Sequence, residues 1–509
     1  MSKRLIRRAP TGMVDWKMVV FGTLATASLI IADKVLRTNL MLYLGQFIHG
    51  EEGLTRIVII SLLWISVYIL QTAVYYYFSF QIYKILSGRV YDKIRWMEES
   101  RLTEYGSGKV HTVANNDVNT AMKLFLDYPS MILSSVVVMI YTAGVIYQGG
   151  GVMLLYPIGI FSLIYLFLGF YLTNLSRSLY HYVRETFRQR QNFITTLIRE
   201  STFIKVSLPN SMFLKIMKDI IEAYRQRIMR WAVLSSSREI LSTVLMLMCT
   251  VLSVVLIGSK SPSLSTAMLG IVPVWWTALD GIISGGLGIA KARDAYKNIE
   301  EMYREEEGRP LRLSVPSVVH IVSVFGKHVP IDIPLERGKA VVIKGANGVG
   351  KSSLLRSLTG SLKMKKGSIP EGNARVYYMP QDTLIISGTL RENILLGREV
   401  DWDTVEDTMK KIGADKVLGR LNMDMHLHPD RNILSGGQKR VLDIVRGLLS
   451  DADVYLLDEP DSGVDPESLE IVKSAIRLLK ERNKVVLFVS HTGNLSDVAD
   501  EEMVLIPDY

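Results

Sequence analysis

The sequence predicts a multidomain membrane protein in which an all-α domain of six long apolar helices precedes an α/β domain with a phosphate-binding loop (P-loop). Two observations lead to this fold class. Apolar runs of about 20 residues, long enough to cross a bilayer as helices, recur through the first part of the chain. In the last part, short β-branched runs alternate with helical patterns and with residues 345–352, which match G-x-x-x-x-G-K-[ST].

The composition agrees with a segregation of apolar residues into membrane spans. Of the 509 residues, 48% are hydrophobic and 21% are charged. The net charge of +9 would also suit a nucleic-acid-binding protein, so the position of the basic residues has to decide. The one cysteine, Cys249, excludes an intrachain disulfide and a cysteine-built metal site.

The first domain is expected at residues 18–307, after a basic cytosolic segment at residues 1–17 that lacks the apolar core of a secretory signal. Six apolar stretches in it are predicted to be membrane-spanning helices. They are residues 18–48, 57–80, 131–147, 152–175, 240–257 and 266–290.

Two long polar stretches, residues 81–123 and 177–230, separate the second span from the third and the fourth from the fifth. Both look helical and are rich in Lys and Arg, whereas the opposite connections are short and carry few charges. The positive-inside rule therefore places the long loops in the cytoplasm, on the side of the P-loop. The basic charge thus belongs to a membrane face, and no nucleic-acid partner is expected.

Some ionisable residues fall inside the predicted spans. Asp33, Lys34 and Arg37 lie in the first span and Asp280 lies in the sixth. Because such groups are costly at membrane depth, they are candidates for a translocation path. The alternative is that they pair with each other or reach towards an interface.

The second domain is expected at residues 308–509, since a charged helix after the sixth span is broken at Gly308 and Pro310. Its P-loop lies between a β-branched run and a helix start, a context that surrounds a phosphate with backbone N–H groups. The pattern predicts that Lys351 reaches the β- and γ-phosphates of a nucleotide and that the Ser352 hydroxyl binds Mg²⁺. The expected nucleotide contacts are Gly345, Ala346, Asn347, Gly348, Val349, Gly350, Lys351, Ser352 and Ser353.

Further motifs follow the P-loop in a definite order. Gln381 comes after an apolar run, residues 434–438 read Leu-Ser-Gly-Gly-Gln and open a helix, and an apolar strand ends in Asp458 and Glu459. Another apolar strand ends before His491. In parallel sheets ligands bind at the carboxyl ends of the strands, so these side chains are expected near the nucleotide.

This order of motifs resembles the nucleotide-binding domain of ABC transporters, of which residues 434–438 are the most specific mark. The six spans with two long cytoplasmic loops resemble the exporter type of transmembrane domain. Residues 388–394 and 451–457 resemble the multidrug-resistance-protein (ABCC) branch. The resemblance covers nearly the whole chain and implies a RecA-like P-loop fold and a half-transporter, with one transmembrane domain and one nucleotide-binding domain.

The resemblance also implies roles for single residues. Asp458 would hold Mg²⁺ together with Ser352 and Gln381, and Glu459 would polarise the attacking water. Gln381 would also touch that water, and His491 would contact the γ-phosphate.

Other implied contacts complete the nucleotide site. The helix start at Ser435, Gly436, Gly437 and Gln438 would close on a nucleotide held by a second subunit. The aromatic residue that stacks on adenine would be Phe325, with His320 as the alternative.

The function that the resemblance implies is an ATP hydrolase that uses ATP and Mg²⁺, dimerises and exports a small molecule, lipid or peptide across a membrane. A homodimer is the default, and a heterodimer with a related half stays open. The alternative is a nucleotide-gated, non-pumping protein that regulates a channel or a partner. Residues 461–465 read Asp-Ser-Gly-Val-Asp where the family usually has S-A-L-D, so Gly463 is expected to loosen communication across the dimer. The membrane and the cargo are left open.

Overall fold

The fold is described by a computed structural model of the chain. The residues described are 15–50, 53–199, 201–258, 261–305, 307–308, 310–324, 327–363, 366–431 and 433–506. Most of the predicted basic segment at residues 1–17, and Phe325, lie outside them.

Two compact units divide the chain, and they do not follow its linear order. One contains the residues up to Tyr91 together with His111–Tyr303, and the other contains Asp92–Val110 together with Arg304–Tyr509. Part of the predicted cytoplasmic loop at residues 81–123 is thus grouped with the second domain. The expected domain limits stay a prediction.

The part of the chain before residue 305 is helical. Its helices are α1 (Trp16–Ile48), α2 (Leu54–Trp96), α3 (Glu99–Tyr105), α4 (Ser107–His111), α5 (Val118–Phe125), α6 (Asp127–Gly150), α7 (Val152–Arg199), α8 (Ser201–Ser207), α9 (Asn210–Gly258) and α10 (Pro262–Arg304), with a π-helical turn at Thr112–Asp117.

Six helical segments of the described residues are long and apolar enough to cross a membrane, which confirms the predicted number. They are Trp16–Ile48, Leu54–Trp96, Gly108–Gly150, Val152–Leu172, Asn210–Gly258 and Pro262–Arg304. Helices α2, α7 and α9 continue past the predicted spans into the polar stretches 81–123 and 177–230, which the sequence predicts to be helical. Backbone hydrogen bonding continues there although the hydropathy of the side chains falls.

The local sequence explains where two of these helices begin and end. The Asp15 carboxylate accepts a hydrogen bond from Lys17 N at 3.0 Å and so caps α1. At the end of α6, Gly151 has a φ of 66°, and its N–H donates to the Tyr147 carbonyl at 2.8 Å. The turn between the third and fourth spans therefore consists of Gly151, since Gly150 still belongs to α6.

Two of the ionisable residues in the spans have polar partners on other helices of the first unit. Asp33 is buried and accepts a hydrogen bond from Trp64 Nε1 at 2.7 Å. Asp280 accepts from Arg238 Nη2 and from the Tyr165 hydroxyl, each at 2.5 Å. None of these partners is one of the four ionisable residues named above, and a role of those residues in a translocation path stays a prediction.

The second unit contains most of the β-structure of the chain. Its strands are β1 (Ser317–Val324), β2 (Lys327–Leu335), β3 (Ala340–Gly345), β4 (Lys366–Ser368), β5 (Val376–Met379), β6 (Gly388–Thr389), β7 (His426–Leu427), β8 (Val454–Asp458), β9 (Val485–Val489) and β10 (Glu501–Leu505). Its helices after residue 350 are α11 (Lys351–Thr359), α12 (Leu390–Leu395), α13 (Trp402–Ile412), α14 (Gly436–Leu448) and α15 (Pro466–Glu481), with a 3₁₀ turn at Ala414–Lys416.

A five-stranded parallel sheet in the order β10-β3-β9-β8-β5 forms the centre of this unit. Strands β1, β2 and β4 form a separate antiparallel sheet, and β6 pairs with β7. The predicted fold class, a six-helix domain followed by an α/β P-loop domain, is confirmed.

Strands β8 and β9 are buried along their whole length, as their continuous apolar sequences predict. Alternate residues point to opposite layers. Tyr455 and Leu457 pack in the cluster formed with α14 and α15, whereas Val454 and Leu456 pack with β1, β2 and α11. The strand that ends in Asp458 is therefore fixed from both faces.

A buried arginine on α14 connects this layer to α12 and to the loop before it. Arg446 is 1% exposed, and its guanidinium donates to the carbonyls of Asn393 and Leu384, each at 2.7 Å. It also donates to Asp443 Oδ1 at 3.0 Å. Burial raises the pKa of Asp443, and the hydrogen bonds from Thr383 and Arg446 oppose that rise. The guanidinium and the carboxylate thus neutralise each other's charge in an apolar layer.

We expect Arg446→Met to destabilise the protein by about 3–5 kcal/mol, because it leaves the Asp443 carboxylate buried without its cation. The measurement is the temperature at which half of the detergent-purified full chain has aggregated. Arg477→Met is the matched control, since Arg477 is half-exposed and its pair with Asp497 is worth less than about 1 kcal/mol. Equal shifts for the two variants would contradict this account.

Candidate functional site

The P-loop joins the buried strand β3 to helix α11, as the sequence predicts. Its three glycines adopt backbone angles that other residues rarely adopt, with φ of 152° at Gly345, 74° at Gly348 and 113° at Gly350. Val349 is buried in the core, while the preceding residues 346–348 are exposed. The buried side chain of Val349 therefore anchors the loop in the core. The backbone of residues 346–348 is presented to solvent at the start of a helix.

Lys351 and Ser352 begin helix α11. The Lys351 side chain is buried, and its ammonium donates to the carbonyls of Gly345 at 2.9 Å and Ala346 at 3.0 Å. Burial lowers the pKa of Lys351, and the carboxylates of Glu459 and Asp458 oppose that change. The positive group is thus held within the loop, next to two acids.

Asp458 is the last residue of β8 and is 2% exposed. Its Oδ1 accepts a hydrogen bond from Ser352 Oγ at 2.9 Å, and its Oδ2 accepts one from the Tyr378 hydroxyl at 3.2 Å. Burial, followed by the nearby Asp458 charge, raises the pKa of Tyr378, so this phenol remains a donor at neutral pH. This role of Tyr378 was not predicted from the sequence, although the residue lies three positions before Gln381.

Glu459 follows in the left-handed region of backbone space, with a φ of 50°, which is uncommon for a residue other than glycine. Its Oε2 accepts a hydrogen bond from Gln381 Nε2 at 3.0 Å. Its Oε1 lies 3.1 Å from His491 Nε2. The three residues that sequence analysis named as catalytic thus lie in direct contact.

The topology of the sheet accounts for this convergence. Strands β3, β9, β8 and β5 are parallel neighbours, so their carboxyl ends lie along one edge. The P-loop follows β3, His491 follows β9, Asp458 ends β8 and Gln381 follows β5.

The oxygen ligands at this edge suit a small divalent cation. Mg²⁺ is usually bound by one or two carboxylates plus the phosphates of a substrate. Ser352 Oγ and Asp458 Oδ1, 2.9 Å apart, provide such oxygens beside the P-loop. In the part of the chain that the structure describes, no group of three or more His, Cys, Asp or Glu residues forms a metal site made by protein alone.

Ser435 caps the start of α14. Its hydroxyl accepts from Gln438 N at 3.2 Å, while its own N–H donates to Gln438 Oε1 at 2.9 Å. The adjacent loop leaves no room for side chains: a Cβ on Gly436 would lie 2.9 Å from the Gly463 carbonyl, and one on Gly437 would lie 2.4 Å from Asp465 Oδ2. Both glycines are thus required by close packing.

Helix α14 also holds the segment that carries Gln381. The Arg440 guanidinium donates to the carbonyls of Pro380 at 2.9 Å and Gln381 at 2.7 Å. Sequence analysis did not single out Arg440, because its contacts go to backbone atoms that leave no pattern in the sequence. Gln381 therefore contacts Glu459 through its side chain and α14 through its backbone.

A segment of the first cytoplasmic loop lies against α11 within the second unit. The Glu99 carboxylate accepts a hydrogen bond from Arg356 Nη1, and Glu99 N donates to the Ser361 carbonyl at 3.1 Å. Arg356 Nε in turn donates to the Ser352 carbonyl at 3.3 Å. Burial would lower the pKa of Arg356, but its hydrogen bond and ion pair with Glu99 outweigh this and raise it.

The residues predicted to stack on adenine are Phe325 and, as the alternative, His320. Phe325 lies outside the described residues. The alternative, His320, is exposed on β1 and its Nδ1 lies 2.7 Å from Asp332 Oδ1 on β2.

Comparison with known proteins assigns residues 329–462 to the family model described as ABC transporter. The ABC transporter C family member 9 of Arabidopsis thaliana is 36% identical over 179 residues, which is 34% of this chain and 12% of that protein. Member 6 of the same family from Dictyostelium discoideum is 32% identical over 178 residues, which is 34% of this chain and 13% of that protein. The matches thus span only a small part of these C-family relatives.

A bacterial relative is shorter. A probable metal transport system ATP-binding protein of Thermotoga maritima is 36% identical over 174 residues, which is 32% of this chain and 67% of that protein. The matched domain binds ATP, and with six membrane-length helices the chain is a multi-pass integral membrane protein whose nucleotide-binding domain is cytosolic. Because most of the Thermotoga protein is matched at this identity, and the family model matches the P-loop and the strand ending in Asp458, this chain belongs to the ABC transporter family.

Proposed function

We propose that this chain is a half-transporter that hydrolyses ATP to drive the export of a small molecule, lipid or peptide. The observation that carries the proposal is the contact of Glu459 with both Gln381 and His491, beside the P-loop of a chain with six membrane-length helices. A protein that only binds ATP does not need a carboxylate oriented in this way.

Hydrolysis transfers the γ-phosphoryl group to water, which breaks the bond to the bridging oxygen of ADP. The Glu459 carboxylate would orient the attacking water and accept its proton, while Gln381 and His491 hold that carboxylate. Lys351 would donate to the β- and γ-phosphates, and the His491 imidazole would contact the γ-phosphate. Mg²⁺, held by Ser352, Asp458 and Gln381 when bound, would supply charge neutralisation at the phosphates.

A working unit would need two chains. Each motif occurs once in this sequence, and the start of α14 at Ser435–Gly437 would close on the nucleotide bound by the P-loop of the other chain. The N-terminus of α14 suits that role, since it presents backbone N–H groups and a positive helix dipole to a phosphate. A two-fold homodimer is the simplest pairing.

The contact of Glu99 with Arg356 provides a route from the cytoplasmic loop to the site. Arg356, which donates a hydrogen bond to Glu99, donates another to the Ser352 carbonyl. The Ser352 hydroxyl in turn donates a hydrogen bond to Asp458. A shift of the loop would therefore act on a residue that binds the phosphates and the metal. ATP shifts the equilibrium of the transporter by binding the closed state more tightly than the open one.

We expect Lys351→Ala to abolish tight ATP binding, and Glu459→Gln to bind ATP normally while losing vanadate-sensitive ATPase activity. The reason is that Lys351 contacts the phosphates of bound ATP, whereas Glu459 acts on the attacking water. ATP retention and ATPase rate of the purified protein in lipid are the measurements, and Glu459→Gln with ATP should be a closed dimer by light scattering.

Two outcomes would contradict the proposal. A parent protein without vanadate-sensitive ATPase activity, unchanged by Glu459→Gln, would favour the nucleotide-gated, non-pumping alternative. A Glu459→Gln variant that remains monomeric with ATP bound would exclude a site made by two chains.

We expect Glu99→Gln to remove most of the stimulation of ATPase activity by any compound that stimulates the parent, because its hydrogen bond to Arg356 loses the charge. A charge-assisted hydrogen bond of about 1.5–3 kcal/mol predicts a loss of coupling of about tenfold or more. Glu104→Gln is the matched control, since Glu104 lies in the same helix α3 and is exposed. Equal stimulation of the parent and both variants would show that this contact does not transmit the signal.

A further inference from the structure

Asp461 is a buried carboxylate that the proposed reaction does not use. It lies two residues after Glu459 and is 4% exposed. Its Oδ2 accepts a hydrogen bond from Ser490 Oγ at 2.6 Å and another from Thr492 Oγ1. Within the described residues no lysine, arginine or histidine forms an ion pair with it. Burying a carboxylate with hydroxyl partners alone is costly, which argues for a specific use.

The two hydroxyls belong to the residues on either side of His491. Ser490 is itself buried, and His491 Nε2 lies 3.1 Å from Glu459 Oε1. The segment from Glu459 to Asp461 therefore holds the segment from Ser490 to Thr492 at three points. One contact is with the imidazole and two are with its neighbours, so the histidine has little freedom to leave the carboxylate.

We propose that Asp461 is a positioning residue that keeps His491 beside Glu459, an inference that rests on the proposed role of these two residues in ATP hydrolysis. Groups that are already in place do not have to reorganise in the transition state. Loss of the hydrogen bonds from Ser490 and Thr492 to Asp461 therefore lowers the rate of hydrolysis. ATP binding is retained, because among the described residues the hydrogen bonds of Asp461 go to Ser490 and Thr492 and none goes to the P-loop or Asp458.

The loop that contains Asp461 also packs against the start of α14. Asp461 begins the loop of residues 461–465, in which the Gly463 carbonyl lies against Gly436. The loop that packs against Ser435–Gly437 therefore also contains Asp461, which accepts hydrogen bonds from the two neighbours of His491. This arrangement connects the position of that helix start to the histidine. The effect of Gly463 on communication across the dimer stays a prediction.

The first test is a double-mutant cycle with His491. Asp461→Ala should lower kcat for ATP about 10- to 100-fold and leave the Kd for ATP unchanged, as outer residues that orient a functional group typically do. Asp461→Asn, which keeps an oxygen acceptor, should retain most of the rate. On a His491→Ala background, Asp461→Ala should cause no further loss, because the residue acts through the histidine. Equal losses with and without His491, or a parallel rise in Kd, would overturn the proposal.

The second test does not depend on ATPase activity. Labelling of His491 by diethyl pyrocarbonate, followed by mass spectrometry of the full chain in detergent, should be several-fold faster in Asp461→Ala than in the parent. Labelling of His428, which is exposed and remote in the sequence, should be unchanged and serves as the reference for reagent dose. An aggregation temperature equal to that of the parent reports that the variant is folded. Unchanged labelling of His491 in a folded variant would overturn the proposal even if the parent hydrolyses ATP, whereas a parent without ATPase activity counts against the proposed function alone.

Discussion

Two neighbouring carboxylates, Asp458 and Glu459, lie at the carboxyl end of the buried strand β8, and side chains of the second unit stabilise them there. Each has two polar partners from other segments. Asp458 accepts hydrogen bonds from Ser352 and Tyr378, and Glu459 accepts one from Gln381 and lies 3.1 Å from the His491 imidazole. Because β8 is covered on both faces, Asp458 cannot move to water without disturbing the core.

The same constraint explains why remote parts of the chain affect one site. Arg356 connects Ser352 to Glu99 in the first cytoplasmic loop, and Arg440 connects Gln381 to α14. Helix α2 runs unbroken from a membrane-length segment to Trp96, three residues before Glu99. A displacement of the loop therefore has a short, hydrogen-bonded path to Asp458.

The positions of the motifs were predictable because they depend on local patterns. A glycine-rich loop after a β-branched strand predicts a phosphate site, and parallel strands bring Gln381, Asp458 and His491 to one edge. The six spans followed from hydropathy in the same way. What could not be predicted are contacts between residues far apart in the chain, such as Glu99 with Arg356, or contacts made to backbone atoms, as by Arg440. The extension of α2, α7 and α9 into the polar stretches was predicted, but the residues at which these helices begin and end were not, because apolar residues mark the span and not the helix ends.

The central claim, that two chains build each ATP site, can be tested directly with differently tagged copies carrying Glu459→Gln. One copy also carries Lys351→Ala and the other Ser435→Arg, so that neither homodimer has an intact site while the heterodimer has a single one. After gel filtration, the heterodimer purified by both tags should retain a single ATP, and neither homodimer should retain any. A heterodimer without bound ATP, or a Ser435→Arg homodimer that retains ATP, would contradict the account.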